Sequence, residues 1–232
     1  MITMPEIIFD SAAVSYEGTP VLEPLSLTLR EQRIGVIGAN GGGKSTLIRM
    51  INGLGEPSSG RVLVDGLDVA ANGRLIRKKV GFVFSDAENQ IVMPTVREDI
   101  AFSLRRHKMP RAEKHRRVEE MMDRFHLTAH ADQSPHTLSG GQKQLLALAA
   151  VLIIEPEVVI ADEPTTLLDL RNRILIREVF RSLPQQLIVV SHDLDFLSDF
   201  DRVICIDDHR VVADGPPTDV IPHYVSLMME SV

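Results

Sequence analysis

The chain has 232 residues, a formal net charge of −7 and 44% hydrophobic residues. This length and apolar content allow a full core, whereas the negative charge excludes a general nucleic-acid binder, which needs a basic face. A single cysteine, Cys205, excludes a disulfide framework, and no apolar run approaches the roughly 20 residues of a membrane helix. Any membrane attachment is therefore expected to come through a partner.

The strand and helix patterns alternate in a way that is typical of an α/β protein. Short apolar segments predict strands at residues 7–9, 25–29, 34–37, 61–64 and 80–84. Helical patterns follow over about 96–125, and strands and helices alternate again over 158–212. We therefore predict one domain, residues 1–232, with a core of residues 1–88 and 157–232 and an inserted helical subdomain of residues 89–156.

A phosphate-binding motif follows the third predicted strand. Residues 38–45 match the pattern G-x-x-x-x-G-K-[ST] and, with Thr46, lead into an apolar helical pattern. Glycines let backbone N–H groups approach phosphate oxygens, and the helix adds its positive N-terminal end. Lys44 would reach the β and γ phosphates, and Ser45 would ligate Mg²⁺. The candidate nucleotide contacts are Asn40, Gly41, Gly42, Gly43, Lys44, Ser45 and Thr46.

An acidic pair ends the apolar segment 158–161. In open α/β sheets, ligands bind at the carboxyl ends of such buried strands. Asp162 suits Mg²⁺ or its water, and Glu163 suits polarisation of the attacking water, so Glu163 and Lys44 are candidate catalytic residues. An acidic pair at a strand end is often only a helix cap, but the phosphate loop and Pro164 favour the catalytic interpretation.

A third motif, Leu-Ser-Gly-Gly-Gln at residues 138–142, lies about twenty residues before Asp162. Ser139 is expected to cap the following helix, so that Gly140, Gly141 and Gln142 lie at its positive end, which attracts anions. Alone, such a segment is more often a simple helix start. Together with the two other motifs it resembles the signature of ABC-type ATPases.

This resemblance implies a P-loop NTPase fold of the ABC type, with a mixed sheet core, an antiparallel β lobe and an inserted α-helical subdomain. It implies that the protein hydrolyses ATP with Mg²⁺. In this family the signature faces the γ-phosphate that a second copy holds, which implies a head-to-tail dimer with two composite sites. Because one chain carries every motif, a homodimer is the economical expectation, and a paralogous partner is the alternative.

Three further positions match the family pattern. Asp169 resembles a residue of the loop that crosses the dimer seam, and His192 resembles the histidine that contacts the γ-phosphate, which makes His192 a third candidate catalytic residue. Tyr16 resembles the aromatic residue that stacks on adenine. Taken alone, a histidine after a strand is more often structural, and Tyr16 would also fit as an ordinary strand tyrosine.

Ser85 departs from the family pattern. Most ABC ATPases carry at this position a glutamine that bears on Mg²⁺ and the attacking water. A serine hydroxyl can still ligate a metal, although it is shorter and has no amide. Ser85 is therefore a candidate metal ligand, and it is also the only sequence feature that favours a nucleotide-responsive regulator with little catalysis.

The segment after Ser85 indicates a subfamily. Residues 86–90 and 95–102 resemble the coupling segment of energy-coupling-factor (ECF) transporter ATPases, and the alternative is a polar turn before an amphipathic helix. The resemblance places Gln90 on a short helix at the groove that receives a transmembrane partner. It implies a peripheral protein at the cytoplasmic face of the membrane, with a transmembrane coupling protein and a substrate-binding integral protein as partners.

The substrate is inferred only from resemblance. The chain ends soon after residues 216–218, so we expect it to lack the sizeable C-terminal domain of many family members. This compact form resembles the ATPases of biotin uptake systems, with cobalt or nickel uptake as the alternative. A soluble ABC ATPase of DNA repair or translation is disfavoured, because no coiled-coil insertion or second nucleotide domain is present.

A basic cluster at residues 105–117 is interpreted as a solvated surface rather than a site for anionic lipid or an acidic partner.

Overall fold

The computed structural model describes residues 4–166 and 168–230, which fall into two compact units. The first unit is Met1–Gly81, Glu157–Glu163 and Pro184–Val232, and the second is Phe82–Pro156 and Pro164–Leu183. Residues 82–88 and 164–183, which the sequence analysis placed with the core, thus group with the helical unit.

Two sheets are formed within the described residues. The strands are β1 (Ile7–Tyr16), β2 (Thr19–Leu29), β3 (Arg33–Gly38), β4 (Ser59–Val64), β5 (Leu67–Asp68), β6 (Val80–Val83), β7 (Val158–Asp162), β8 (Gln186–Val190), β9 (Arg202–Asp207) and β10 (Arg210–Gly215). One sheet is antiparallel in the order β2-β1-β4-β5, and the other has the order β10-β9-β3-β8-β7-β6. The second sheet is mixed, because β3, β7, β8 and β9 pair in parallel whereas β10 is antiparallel to β9. Both expected sheet types are therefore present.

The helices are α1 (Lys44–Ile51), α2 (Val69–Lys79), α3 (Val96–Ser103), α4 (Arg111–Arg124), α5 (Gly140–Leu152), α6 (Leu170–Ser182), α7 (Leu194–Leu197) and α8 (Pro217–Glu230). The helical pattern predicted over 96–125 is broken after α3 by the 3-10 turn Leu104–Arg106. Pro110 then stands at the N-cap position of α4, without a side-chain hydrogen bond to the helix; its ring fixes φ, and its missing N–H cannot continue a preceding helix. Among the described helices, none is long and apolar enough to span a membrane.

The parallel strands bring the first two motifs to one edge of the sheet. All five residues of β7 and all five of β8 are buried, as expected for strands covered on both faces. Asp162 pairs in register with Val190, and Val190 pairs with Val36 of β3. The carboxyl ends of β3, β7 and β8 therefore meet, so that the phosphate loop and the acidic pair become neighbours.

The basic cluster is partly neutralised by acidic residues of its own unit. Arg116 forms ion pairs with Glu113 and Glu120, and Arg117 forms ion pairs with Glu113 and Glu155. These contacts favour a solvated helix surface, as the sequence analysis interpreted it.

Cys205 is fully buried in β9, and this burial, together with the charge of Asp207, raises the pKa of its thiol to about 11. Because the thiolate is the reactive form, we expect no alkylation of native protein by iodoacetamide at about pH 8 and complete alkylation after denaturation. Mass spectrometry measures the added mass. Equal rates for native and denatured protein would contradict this burial.

Candidate active site

The phosphate loop requires glycine for two structural reasons. Gly38 and Gly43 have φ of 146° and 103°, a region that residues with side chains rarely adopt. A Cβ at Gly38 would lie 1.8 Å from the carbonyl oxygen of Ile206, and a Cβ at Gly43 would lie 2.6 Å from that of Val21. Contacts with neighbouring strands, and not only the turn itself, therefore fix glycine at these positions.

Lys44, the first residue of α1, is held over this loop. Its Nζ donates to the carbonyl oxygens of Gly38 and Ala39 at 2.9 and 2.8 Å. Burial lowers the pKa of Lys44, and the nearby carboxylates of Glu163 and Asp162 oppose that effect. The cation thus lies between the loop carbonyls and the acidic pair.

Two side chains of α1 contact the carboxylate of Asp162. Ser45 donates from Oγ to Asp162 Oδ1 at 3.0 Å, and Arg49 Nη2 lies 3.5 Å from Oδ2 of the same carboxylate. Ser45 and Arg49 are four residues apart and so share one face of the helix. Arg49 belongs to no motif, and only its spacing of four residues from Ser45 indicates in the sequence that it would reach Asp162.

The Ser45 and Asp162 oxygens fit Mg²⁺. Magnesium prefers hard oxygen ligands and is commonly held by one or two carboxylates together with phosphate oxygens and water. Within the part of the chain that the structure describes, no group of three or more His, Cys, Asp or Glu side chains could hold a metal ion. A magnesium ion at this place would therefore share its coordination with a nucleotide.

Glu163, His192 and Asn40 come together from three separate motifs. The backbone N–H of Glu163 donates to the carbonyl oxygen of Val190 at 2.9 Å, which anchors the residue to β8. The backbone N–H of His192 donates to Glu163 Oε2 at 3.3 Å, while His192 Nε2 lies 3.4 Å from Oε1 and 3.0 Å from Asn40 Oδ1. The ring nitrogen Nε2 of His192 therefore lies beside both the Glu163 carboxylate and the Asn40 side chain.

These residues line one cavity of about 300 Å³ in the first unit. Its lining is Val21, Asn40, Gly41, Gly43, Lys44, Ser45, Thr46, Asp162, Glu163, Val190 and His192. Tyr16 does not line it and has 65% of its surface exposed at the end of β1. A larger cavity of about 430 Å³ is lined by Arg61, Arg74 and Arg77 but by none of the motif residues.

The signature lies in the second unit, at the start of α5. Ser139 caps this helix, as predicted: its Oγ accepts from the backbone N–H of Gln142 at 3.3 Å, and the Gln142 side chain accepts from the N–H of Ser139 at 2.9 Å. A Cβ at Gly141 would lie 2.2 Å from Cγ of Asn172 in α6. Asp169 caps α6 by accepting from the N–H of Asn172 at 2.8 Å. The starts of α5 and α6 therefore adjoin.

Gly140, which precedes Gly141 in the signature, is exposed. Leu167, two residues before Asp169, lies outside the described residues. Ser85 is exposed in the bend after β6. The roles of the signature, Asp169 and Ser85 toward a nucleotide remain predictions.

Gln90 lies directly after the 3-10 turn Ala87–Asn89, as its C-cap residue, rather than on a helix. Its Oε1 accepts from the N–H of Phe84 at 3.2 Å, and its Nε2 lies 3.5 Å from the carbonyl oxygen of Ala147 in α5. The amide is thus directed into its own unit, a placement that the sequence pattern could not predict.

Comparison with known proteins confirms the family. The model of the family described as ABC transporter matches residues 22–166. The chain belongs to the ABC transporter family. This ABC ATPase is 52% identical over 209 residues to an ABC transporter ATP-binding protein of Deinococcus radiodurans, covering 90% of this chain and 92% of that protein.

Two named relatives support the subfamily. The biotin transport ATP-binding protein BioM of Rhizobium etli is 45% identical over 218 residues, or 94% of this chain and 97% of BioM. The energy-coupling factor transporter ATP-binding protein EcfA1 of Lacticaseibacillus paracasei is 40% identical over 200 residues, or 84% of this chain and 72% of EcfA1. The resemblance to energy-coupling-factor and biotin-uptake ATPases is therefore confirmed.

The fold is confirmed by a solved structure. That of cbiO1 from Clostridium perfringens, described as part of the ABC transporter complex cbiONQ, superposes with a TM-score of 0.83 and 32% identity. The match covers 94% of this chain and 92% of cbiO1. The predicted P-loop fold of the ABC type is thus correct.

Proposed function

We propose that this ABC ATPase energises an importer of the energy-coupling-factor type and that the imported substrate is biotin. The observation that carries the proposal is the convergence of Lys44, Asp162, Glu163 and His192 on one cavity. The similarity to BioM supports biotin over cobalt or nickel. The protein would act at the cytoplasmic face of the membrane, through a transmembrane coupling protein and a substrate-binding integral protein.

Hydrolysis of ATP depends mainly on positioning the reactants and stabilising negative charge, and little on covalent chemistry by the protein. Backbone N–H groups of the loop and Lys44 would hold the β and γ phosphates, and Glu163 would accept the proton of the attacking water. His192 would stabilise the γ-phosphate through its ring and keep Glu163 oriented through its backbone N–H. Mg²⁺ held by Ser45 and Asp162 would neutralise phosphate charge, with Ser85 as a further candidate ligand.

Each ATP would lie between two copies of the chain. Ser139, Gly140 and Gly141 stand at the N-terminus of α5, where the helix dipole and the backbone N–H groups of the first turn attract anions. In a head-to-tail homodimer these groups would meet the γ-phosphate held by the other copy, with Asp169 at the seam. The exposed ring of Tyr16 has a face available for adenine.

The coupling segment is tied to the signature helix. Glu88 forms an ion pair with Lys143 at the start of α5, and this pair lowers the pKa of Glu88. Gln90 adds a contact to the carbonyl oxygen of Ala147, one further turn along the same helix. A membrane partner that contacts residues 85–90 would therefore act directly on α5.

Gln90→Ala is expected to lower biotin uptake about 5- to 10-fold and ATP hydrolysis by a smaller factor, because it removes the contact with Ala147 and the hydrogen bond from Phe84, each worth about 1 kcal/mol. Uptake and ATPase activity are measured in one reconstituted complex. Asp123→Ala, at an exposed position of α4 outside residues 85–90, is the control and is expected to retain both activities. Equal fractional losses of uptake and hydrolysis in Gln90→Ala would contradict the coupling role.

The substrate proposal is tested by uptake in a deletion strain of the source organism. The wild-type chain should restore uptake of labelled biotin, and Glu163→Gln should not. Restored uptake of labelled cobalt or nickel, with biotin uptake unchanged, would replace biotin by a metal ion as the substrate. Restoration of none of the three would contradict the import function itself.

A further inference from the structure

A chain of hydrogen bonds leads from the signature to a histidine outside every motif. Gln142 Oε1 accepts from the N–H of Ser139 at 2.9 Å, and its Nε2 lies 2.9 Å from Nε2 of His130. The other ring nitrogen, His130 Nδ1, lies 2.9 Å from Oε1 of Gln133. All four residues belong to the second unit.

Donor and acceptor rules fix the protonation of His130. The backbone N–H of Ser139 can only donate, so the Gln142 atom that faces it is the carbonyl oxygen. The Gln142 amide then presents its N–H₂ group to His130, whose Nε2 must accept. Nδ1 therefore carries the proton and donates to Gln133. An imidazolium or an Nε2–H tautomer would place two donors against each other.

The backbone around His130 is anchored on both sides. Its N–H donates to the carbonyl oxygen of Leu127 at 2.9 Å, and its own carbonyl oxygen accepts from the N–H of Gln133 at 2.9 Å. Leu127 and Ala131, which flank this turn, are both buried. The ring is thus presented to Gln142 from a fixed turn rather than from a free loop.

We propose that neutral His130 is a positioning residue for the signature. It orients the Gln142 amide, which in turn holds Ser139 and the first turn of α5 in place. The effect on ATP hydrolysis rests on the proposed function, in which this turn contacts the γ-phosphate of a second copy. His130 itself touches no nucleotide and acts only through Gln142.

Two variants of His130 are compared. His130→Leu keeps a side chain of similar size but has no hydrogen-bond acceptor. His130→Gln places an amide oxygen close to the position of Nε2, where it can accept from Gln142. We expect His130→Leu to lower kcat for ATP about 3- to 10-fold, which is the effect of one lost hydrogen bond. His130→Gln is expected to retain most of the wild-type kcat. Affinity for a fluorescent ATP analogue should change less than about 2-fold in either variant, because the phosphate loop is intact. His136→Leu, at an exposed histidine outside this chain of bonds, should leave kcat unchanged.

Equal kcat values for His130→Leu and wild type would overturn the proposal, and so would an equal loss in the Leu and Gln variants. A tautomer measurement does not depend on hydrolysis. Long-range ¹H–¹⁵N spectra of histidine-labelled protein at about pH 8 should show His130 as the Nδ1–H form, assigned by its absence in His130→Gln. An Nε2–H form would overturn the proposal even if ATPase activity is normal. Absence of hydrolysis by the wild-type protein would instead count against the proposed function alone.

Discussion

Glu163→Gln is expected to lower ATP turnover at least ~100-fold while leaving ATP binding intact, because glutamine has the same shape but cannot accept a proton. Its amide oxygen can still accept from the N–H of His192, as Glu163 Oε2 does at 3.3 Å. The backbone anchor of residue 163 to Val190 is also kept. Steady-state phosphate release and equilibrium binding of ATP measure the two quantities separately.

Glu157→Gln is the matched control for this change. Glu157 directly precedes β7, at the opposite end of that strand from Glu163, and it forms an exposed ion pair with Lys79. The control variant should hydrolyse ATP at the wild-type rate. Near-normal turnover of Glu163→Gln would remove Glu163 from its assigned role as proton acceptor.

Gly38→Ala is expected to destabilise the protein by more than about 3 kcal/mol and to abolish ATP binding. The new methyl group would lie 1.8 Å from the carbonyl oxygen of Ile206, so β3 and β9 must separate to admit it. The φ of 146° adds strain for any residue with a side chain. The free energy of unfolding is measured by urea denaturation.

Gly41→Ala separates these two causes. Gly41 has a φ of 82°, but a Cβ there would meet no atom within 4 Å. We therefore expect only the cost of the left-handed conformation, about 1 kcal/mol. Equal loss of unfolding free energy in the two alanine variants would show that the close contact with the carbonyl oxygen of Ile206 does not add to the destabilisation by Gly38→Ala.

The motif residues were predictable because each follows a recognisable strand or opens a helix. The phosphate loop follows the apolar strand β3, and Asp162 ends the apolar strand β7, so parallel pairing alone brings them to one edge. The full length of β1 was not predictable. Ser11 has a φ of 52° and the register shifts between Phe9 and Ala12, so the alternating pattern stops before the strand does.

Contacts between distant residues could not be predicted from local patterns. Asn40 and His192 are 152 positions apart, and their bond depends on the order of strands in the sheet. The inward direction of Gln90 depends in the same way on the packing of α5. No helix was predicted after residue 212, although α8 begins at Pro217 and proline is favoured at the first helical position.

The most direct test is to purify the tagged protein gently from membranes of its source and to identify by mass spectrometry the proteins and small molecule that accompany it. We expect a transmembrane coupling protein and a second integral protein that carries biotin. Recovery only from the soluble fraction, with no integral partner, would contradict the importer function and favour a soluble ATPase or a regulator.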